Sequence, residues 1–422
     1  MRVLRGEITV PGDKSVGHRA CILSALSAGT STVRGLGRGG DLGSTRRVVA
    51  ALGADVHEDG TSFRIEGLGL HGLRTPDAPL DCGNSGTTIR LMCGVLAGQP
   101  GLEAILDGDA SLRGRPMRRV TRVLEPFGAA FELPDGDHPP VVVHGRALRG
   151  AVVETGLSSA QVKSAALLAG LLAEGETRVT EVGPSRDHTE RMLGHLGVSL
   201  ARDGTAATLT PPGALPATEW RVPGDLSSAA FWLAAGALLP GSDLTVVDVG
   251  INPTRSGFVD VLRAMGAAVE VEQTGVWGGE PVGRIRVRGG GLRGARIDGT
   301  LALRALDELP LVAVLAAAAE GETVVAGARE LRVKESDRVA AMAEGLAAMG
   351  AHIDATEDGW QIEGGAPLKG AAVRVHDDHR IAMALTVAGL VATGEVCLDD
   401  PAAAAVSYPD FFDALQARLE AT

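Results

Sequence analysis

The sequence is poor in lysine, in aromatic residues and in positive charge. Only four of its 40 basic residues are lysines, and aromatic residues make up 3% of the 422 residues. The formal net charge of −12 argues against a general nucleic-acid surface, although it does not exclude a local basic pocket for a small anion. Because aromatic side chains are so few, the core must be built from Ala, Leu and Val.

The chain also lacks long apolar runs and closely spaced cysteines. Apolar helical runs such as residues 309–319 are too short to span a bilayer, and residues 1–13 resemble neither a signal nor a transit peptide. The four cysteines form no CxxC motif and have no histidine partner at metal-ligand spacing. We therefore expect a soluble cytoplasmic protein with no membrane or nucleic-acid partner, no metal and no cofactor.

One sequence pattern recurs six times along the chain. A polar cluster opens an Ala/Leu-rich helix, and a β-branched strand, a second helix and a further strand follow it. The spacing is about 65–85 residues, and the openings begin at residues 14, 84, 159, 225, 307 and 378. Each repeat predicts the order βαβαββ, with a glycine such as Gly53 as a left-handed cap after the second helix. Such a repeat does not by itself indicate a function.

The length and the repeats together indicate two domains. A chain of 422 residues is too long for one compact core, and six repeats divide into three plus three. The clearest boundary is residues 218–225, where Pro and Gly separate two periodic regions. The strand predicted at residues 3–10 precedes the first repeat and could pair with either half.

Charged residues gather at the repeat openings, where helix N-termini also favour bound anions. The turn at residues 83–88 resembles a phosphate cradle but lacks the Walker spacing, and no GxGxxG motif follows a strand, so we predict neither ATP nor a dinucleotide. Taken singly, Arg19, Arg90 or Arg186 could be an ordinary ion-pair residue. Their recurrence at matching places favours a common anion site, with the following members at the openings: Lys14, Ser15, Arg19, Arg90, Asp307, Glu308, His379 and Arg380.

Two carboxylates and a lysine in these clusters suggest proton transfer. Asp307 and Glu335 would be unfavourable in a dry anion site unless they took part in chemistry, and two carboxylates in unlike surroundings can serve as acid and base. An ammonium can shift its pKa and exchange protons, whereas a guanidinium stays charged. This difference gives Lys14 and Lys334 a reason to be lysine in an arginine-rich chain.

Nine blocks, in order, resemble the 5-enolpyruvylshikimate-3-phosphate synthases, a family of enolpyruvyl transferases. The blocks are GDKSVGHR, GNSGTTIRLM, SLRGRPM, SSAQVKSA, SRDHTERM, GDLSSAAFWL, DELPL, RVKESDR and DDHRIAMA. The resemblance implies an α/β fold of two domains, each made of three βαβαββ units with helices bundled inside and sheets outside. It also implies that residues 1–11 and 224–422 form one domain and residues 12–223 the other, with a hinge near 11–13 and 222–225.

The resemblance implies transfer of the enolpyruvyl group of phosphoenolpyruvate to the 5-hydroxyl of shikimate-3-phosphate, with release of phosphate, through a tetrahedral intermediate. The implied proton-transfer residues are Lys14, Asp307 and Glu335. Phosphoenolpyruvate would be bound by Lys14, Gly86, Arg90, Arg115, Gln161, Lys334, Arg338 and Arg380. Shikimate-3-phosphate would be bound by Lys14, Ser15, Arg19, Ser158, Ser159, Gln161, Arg186, Asp307 and Lys334. We expect a monomer whose partners are these small-molecule substrates.

Three positions depart from residues found in other family members. Ala160 stands where many members have a second serine, Val406 where some have a lysine, and Glu330 where some have an asparagine. Gly86 stands where a bulkier residue in some members excludes the herbicide glyphosate, so we expect inhibition by glyphosate.

Two alternative functions remain open at this stage. The UDP-N-acetylglucosamine enolpyruvyl transferases share the architecture, but they begin GxKN and usually carry a reactive cysteine in a loop that here, at residues 108–117, has none. A non-catalytic anion-binding repeat protein is the second alternative. That alternative predicts neutral residues at the helix caps, and the presence of Asp307 and Glu335 argues against it.

Overall fold

The structure is a computed structural model that describes residues 2–60 and 62–421. The chain divides into two compact units. We call the first the terminal unit; it contains the described residues up to Pro11, Gly224–Gly275 and those from Pro281 onward. The middle unit contains Gly12–Pro223 and Val276–Glu280.

The middle unit contains three successive repeats of helices and strands. After β1 (Arg2–Ile8) of the terminal unit, its elements follow in chain order: α1 (Lys14–Ala25), β2 (Ser27–Arg34), α2 (Gly40–Ala51), β3 (Asp55–Asp59), β4 (Ser62–Leu68), β5 (Leu80–Asp81), α3 (Gly86–Ala97), β6 (Glu103–Asp107), α4 (Ala110–Arg113), α5 (Arg118–Leu124), β7 (Ala130–Glu132), β8 (Val141–His144), β9 (Leu148–Arg149), β10 (Val152–Glu154), α6 (Ala160–Leu171), β11 (Ala173–Glu174), β12 (Thr177–Thr180), α7 (His188–His195), β13 (Ser199–Asp203), β14 (Ala206–Thr210), β15 (Leu215–Pro216) and β16 (Glu219–Arg221).

The terminal unit continues with the other three repeats. Its elements are α8 (Leu226–Leu238), β17 (Asp243–Gly250), α9 (Gly257–Ala264), β18 (Ala268–Trp277), β19 (Glu280–Arg288), β20 (Arg296–Ile297), α10 (Gly299–Arg304), α11 (Leu309–Ala318), β21 (Glu322–Val325), α12 (Arg338–Ala348), β22 (His352–Thr356), β23 (Gly359–Glu363), β24 (Ala372–Val373), α13 (His379–Gly389), β25 (Cys397–Leu398), α14 (Phe411–Arg418) and β26 (Leu419–Ala421). A short 3₁₀ turn at Leu306–Glu308 carries Asp307, and another at Arg329–Val333 ends just before Lys334.

In five of the repeats, the four strands are arranged in the same order across a sheet. The orders are β16-β2-β4-β3, β5-β6-β8-β7, β10-β12-β14-β13, β1-β17-β19-β18 and β20-β21-β23-β22. In the β6 sheet, for example, β5 and β6 are parallel, and β8 pairs antiparallel with both β6 and β7. The sixth repeat contributes the parallel pair β24-β25. This arrangement confirms the predicted βαβαββ repeat.

Strand β1 pairs within the terminal unit. It runs parallel to β17 and antiparallel to β26, which settles the choice that the sequence left open. In the middle unit, β16 takes the equivalent place beside β2, with Trp220 opposite Val33. Residues 276–280, which the family resemblance assigned to the domain of 224–422, lie in the middle unit. There the Arg221 guanidinium carbon lies 3.3 Å from the centre of the Trp277 ring.

The helices form the interior of each unit because several are apolar on all sides. Every residue of α8 is buried, and α3 packs directly on α6 in the middle unit. At Gly94 of α3, a Cβ atom would lie 2.1 Å from the carbonyl oxygen of Ala165, so glycine allows the two helices to approach closely. Trp220 lies in the core of the middle unit, and Trp232 and Trp360 lie in that of the terminal unit.

Glycines end the second helix of the repeats as predicted. Gly53 follows α2 with φ of +100°, and Gly350 follows α12 with φ of +86°. Both values lie in the left-handed region, which glycine adopts without steric cost. Among residues 2–60 and 62–421, no helix combines the length and hydropathy that a membrane span requires.

Candidate active site

Two arginines surround the N-terminus of α3 in the middle unit. A Cβ atom on Gly86 would lie 2.8 Å from Nη1 of Arg90 and 3.0 Å from Nη1 of Arg115. Arg90 donates to Oε1 of Gln161 at 2.7 Å, and Arg115 donates to Oδ1 of Asn84 at 2.7 Å. Two guanidiniums beside a helix N-terminus, each hydrogen-bonded to a side-chain amide oxygen, form a site suited to a small anion.

Lys14 lies at the N-terminus of α1 and pairs with Asp41 of α2. Its Nζ atom is 2.8 Å from Oδ2 of Asp41, and the two side chains are 25% and 11% exposed. Asp13 caps the helix by accepting a hydrogen bond from the backbone N–H of Val16 at 2.9 Å. The ammonium is therefore held by a carboxylate while part of its surface remains accessible.

Arg19 is buried one turn further along α1. Its guanidinium donates to Oγ1 of Thr189 at 2.7 Å, to Oγ of Ser164 at 2.7 Å and to the carbonyl oxygen of Ser15 at 2.8 Å. Burial lowers the pKa of Arg19 to about 10, although the Glu190 carboxylate acts in the opposite direction. These contacts tie α1 to α6 and α7.

The start of α6 lies beside the loop that carries Arg186. Oγ of Ser158 would be 2.8 Å from a Cβ atom on Gly183, so these two loops meet. Ser159 occupies the N-cap position of α6, yet its side chain makes no capping hydrogen bond. Gln161 donates to Oγ1 of Thr87 at 3.0 Å while it accepts from Arg90, so α6 and α3 are joined at their openings.

Asp307 of the terminal unit faces three cations. Its carboxylate lies 3.8 Å from Nζ of Lys334, 4.0 Å from Nη1 of Arg338 and 4.0 Å from Nη2 of Arg380. Its side chain is 15% exposed. Burial lowers the pKa of Lys334, and the nearby Asp307 carboxylate partly offsets that effect. A lysine with a lowered pKa exchanges a proton more readily near neutral pH.

Arg338 and Glu335 form the second part of this cluster. Arg338 is 1% exposed; its Nε lies 2.7 Å from Oδ2 of Asp378 and its Nη2 lies 2.7 Å from Oε2 of Glu335. Burial alone would lower the pKa of Arg338, but Glu335 and Asp378 outweigh it and raise the pKa. Arg338 is therefore a permanent positive charge held in one orientation.

Some of the sequence-derived candidates lie together in each unit. In the middle unit Gly86, Arg90, Arg115 and Gln161 lie together, whereas the Arg19 guanidinium is occupied by buried hydroxyl and carbonyl oxygens. The terminal unit brings together Asp307, Lys334, Glu335, Arg338 and Arg380. Of the departures from the family pattern, Ala160 begins α6, Glu330 lies in the Arg329–Val333 turn and Val406 ends the 3₁₀ turn Pro401–Val406.

Sequence reasoning missed several partners that orient the candidates. Asp41 and Asn84 contact Lys14 and Arg115, and Asp378 holds Arg338. Asn84 and Asp378 stand inside the blocks GNSGTT and DDHR, so those blocks carried a usable signal. Asp41 stands in the unremarkable stretch GGDLGS, and no spacing links it to Lys14.

A chain of buried hydrogen bonds links α1, α2 and the start of α3 in the middle unit. Nδ1 of His18 lies 2.6 Å from Oγ1 of Thr45, which lies 2.6 Å from Oγ1 of Thr88; the Thr88 hydroxyl donates to Oγ of Ser85 at 2.7 Å. Burial lowers the pKa of His18 to about 3, although Asp41 acts in the opposite direction. The chain connects α1 and α2 to the N-terminus of α3.

Acid is expected to destabilise the middle unit through His18. The unfolded histidine binds a proton below about pH 6.5, whereas the folded one stays neutral, so stability falls as the pH drops from 6.5 towards 3. For this one group, the free energy of unfolding changes by up to about 1.4 kcal/mol per pH unit. Urea unfolding at pH 7, 6 and 5 should show a smaller loss of stability on acidification in His18→Asn than in the wild type. Equal losses of stability in the two proteins would contradict a neutral buried His18.

Known proteins resemble this chain over nearly its whole length. The family model described as EPSP synthase (3-phosphoshikimate 1-carboxyvinyltransferase) matches residues 1–415. A 3-phosphoshikimate 1-carboxyvinyltransferase from Gloeobacter violaceus is 52% identical over 416 residues, which are 98% of this chain and 96% of the relative. One from an Anaeromyxobacter species is 53% identical over 420 residues, which are 99% of this chain and 96% of the relative.

Solved structures agree with the sequence matches. An EPSP synthase from Acinetobacter baumannii has a TM-score of 0.89 and 41% identity, covering 99% of this chain and 97% of that one. The enolpyruvyl transferase NikO from Streptomyces tendae has a TM-score of 0.80 at 19% identity, which shows the fold alone. The predicted two-domain enolpyruvyl transferase fold is thus confirmed, and the chain belongs to the EPSP synthase (3-phosphoshikimate 1-carboxyvinyltransferase) family.

Proposed function

We propose that the charged clusters of the two units bind and activate the two substrates of this family's reaction. The chain is a transferase of the shikimate pathway: it transfers the enolpyruvyl group of phosphoenolpyruvate to the 5-hydroxyl of shikimate-3-phosphate and releases phosphate. The matches favour this reaction over UDP-N-acetylglucosamine enolpyruvyl transfer and over a non-catalytic anion-binding role.

The chemistry of this addition–elimination sets clear requirements. Protonation of the methylene carbon makes the central carbon of phosphoenolpyruvate electrophilic, and a base removes the proton from the attacking hydroxyl. The tetrahedral intermediate then loses phosphate and a methyl proton. The site must supply an acid, a base and cations that hold the phosphates and carboxylates. Lys14, Asp307 and Glu335 are the proposed proton-transfer groups.

The substrate assignments follow the two clusters. Arg338 and Arg380 grip the carboxylate of phosphoenolpyruvate, since planar guanidiniums bind carboxylates through paired hydrogen bonds. Its other proposed contacts are Lys14, Gly86, Arg90, Arg115, Gln161 and Lys334. Shikimate-3-phosphate is assigned Lys14, Ser15, Arg19, Ser158, Ser159, Gln161, Arg186, Asp307 and Lys334. In this scheme the middle unit is mainly the shikimate-3-phosphate domain, and the terminal unit carries the acid–base residues.

The environment of Asp307 is the single observation that carries this assignment. Its carboxylate is partly exposed and lies 3.8–4.0 Å from three cations, so an anionic substrate held by those cations would lie beside it. Phosphate release should require both shikimate-3-phosphate and phosphoenolpyruvate. Turnover with UDP-N-acetylglucosamine instead, or calorimetric binding of shikimate-3-phosphate without any turnover, would refute the proposal.

We also propose that the protein is monomeric and cytoplasmic. The relatives act on small molecules, which is the basis for expecting no macromolecular partner. Light scattering coupled to size-exclusion chromatography should give a mass near 43.2 kDa. A stable dimer would contradict the monomer.

A methyl group at Gly86 is expected to weaken phosphoenolpyruvate binding. The Cβ atom of Gly86→Ala would displace the guanidiniums of Arg90 and Arg115, which are the flexible ends of long side chains, so the fold should survive. We expect KM for phosphoenolpyruvate to rise about tenfold, equivalent to about 1.4 kcal/mol. Glyphosate should inhibit the wild type in competition with phosphoenolpyruvate and inhibit the variant less.

Gly114→Ala is the matched control for this substitution. A Cβ atom there would lie 3.5 Å from the carbonyl oxygen of Ser111, an ordinary contact, so its kinetics should match the wild type. Unchanged KM and unchanged glyphosate inhibition in Gly86→Ala would show that the two guanidiniums do not line the phosphoenolpyruvate site.

A further inference from the structure

A buried carboxylate in the terminal unit is not explained by the proposed acid–base chemistry. Glu308 is 1% exposed and lies at the end of the 3₁₀ turn that carries Asp307. Its Oε2 atom is buried, and no hydrogen-bond partner for it is found among the described residues. A half-satisfied buried carboxylate costs stability, so its presence calls for a role beyond packing.

The other oxygen of Glu308 joins three elements of the terminal unit. Oε1 accepts hydrogen bonds from the Ser227 hydroxyl on α8 and from Nη1 of Arg255 at 2.8 Å, and Nη1 of Arg380 on α13 lies 3.5 Å from it. Arg255 is 3% exposed and also donates to Oγ of Ser227. One carboxylate oxygen therefore fixes the relative positions of α8, the loop with Arg255 and α13.

The same contacts fix Arg380. Nη2 of Arg380 donates to Oγ of Ser227 at 3.0 Å, and Nη1 donates to the carbonyl oxygen of Asp307 at 2.7 Å. The Ser227 hydroxyl is thus shared by Arg255, Arg380 and Glu308. Because Arg380 has four rotatable side-chain bonds, these contacts are what hold the plane of its guanidinium.

We propose that Glu308, Arg255 and Ser227 form a positioning network that orients the guanidinium of Arg380 for phosphoenolpyruvate. This inference rests on the proposed function and deepens it. None of the three residues needs to touch the substrate. A planar guanidinium binds a carboxylate through two parallel hydrogen bonds only when its plane is set, and small misplacements of a binding group can lower catalysis strongly. Arg380, which the network contacts directly, is proposed to bind only phosphoenolpyruvate, so loss of the network should affect that substrate more than shikimate-3-phosphate.

The main test removes both members of the buried ion pair together. Arg255→Met combined with Glu308→Leu leaves neither charge buried alone, and such replacements are often neutral for stability. We expect kcat/KM for phosphoenolpyruvate to fall at least 30-fold, while KM for shikimate-3-phosphate changes less than threefold and the melting temperature stays near that of the wild type. A purely structural role would not separate the two substrates.

A conservative variant and a control complete the experiment. Glu308→Gln keeps an oxygen acceptor for Ser227 and Arg255, so it should recover much of the loss. If the double variant does not fold, Glu308→Gln still tests the proposal, because it should raise KM for phosphoenolpyruvate at least threefold without raising KM for shikimate-3-phosphate. Glu344→Gln is the control. It also removes a carboxylate paired with an arginine, Arg374, but that ion pair is exposed, so the kinetics of this variant should equal those of the wild type.

The outcomes separate this proposal from the proposed function. An inactive wild type would overturn the assigned reaction and this inference with it. An active wild type, with both variants showing unchanged phosphoenolpyruvate kinetics, would overturn the positioning network alone. Equal losses for both substrates with a lowered melting temperature would also overturn it, since they would indicate general destabilisation.

Discussion

Asp307→Asn is expected to lower kcat by about 10²–10⁴-fold, the range that a positioned general acid or base contributes. The amide has nearly the same shape but cannot take up or give a proton. Removal of the negative charge leaves Lys334, Arg338 and Arg380 less compensated, so phosphoenolpyruvate should bind at least as tightly as before. Steady-state kinetics should therefore show a large loss in kcat with no rise in KM for phosphoenolpyruvate.

Asp298→Asn is the matched control for Asp307→Asn. Asp298 belongs to the same unit and also has an arginine neighbour, Arg296 at 2.5 Å, but its side chain is 47% exposed. Its turnover should equal that of the wild type. If kcat of Asp307→Asn stays within threefold of the wild type, Asp307 is not a proton-transfer group, and Glu335 and Lys14 would have to supply both steps.

Lys14→Arg is expected to lower kcat at least tenfold while the fold is retained. The arginine can keep a charge-assisted contact with Asp41, since Lys14 and Asp41 are 2.8 Å apart and both are partly exposed. It remains charged at every pH of interest, so any step in which the ammonium gives up a proton is lost. Burst and steady-state measurements of phosphate release will separate this loss from a change in binding.

Lys369→Arg provides the comparison for Lys14→Arg. Lys369 is an exposed residue of the same type, and its exchange should leave both stability and turnover unchanged. Wild-type turnover in Lys14→Arg would mean that the position requires only positive charge. Proton transfer would then not explain why position 14 carries one of the few lysines of this chain.

The fold was largely predictable because its signals recur. Apolar helix faces, glycines such as Gly53 and Gly350, and β-branched strands appear at similar spacing in each repeat, so each repeat supports the interpretation of the others. The partner of β1 was not predictable, because residues 3–10 have the same strand character whichever sheet they join. Pairing with β17 and β26 depends on tertiary contacts far along the chain.

The candidate residues were predictable from local blocks, but their orienting partners were not. Arg90 and Arg115 stand in recognisable motifs, whereas Asp41 is 27 residues from Lys14 and Arg255 is 53 residues from Glu308. Such pairs arise only when separate helices pack together, and no local pattern records them. His18 is a similar case, since its burial beneath α2 and α3 lowers its pKa and no sequence neighbour indicates this.

The separation of the buried indoles has a practical consequence for spectroscopy. Trp220 belongs to one core, while Trp232 and Trp360 belong to the other. Proteins with two cores need not unfold in one step, and a single averaged signal conceals this. Fluorescence from variants that retain indoles in only one core would follow each denaturation separately and show whether ligands protect one half before the other.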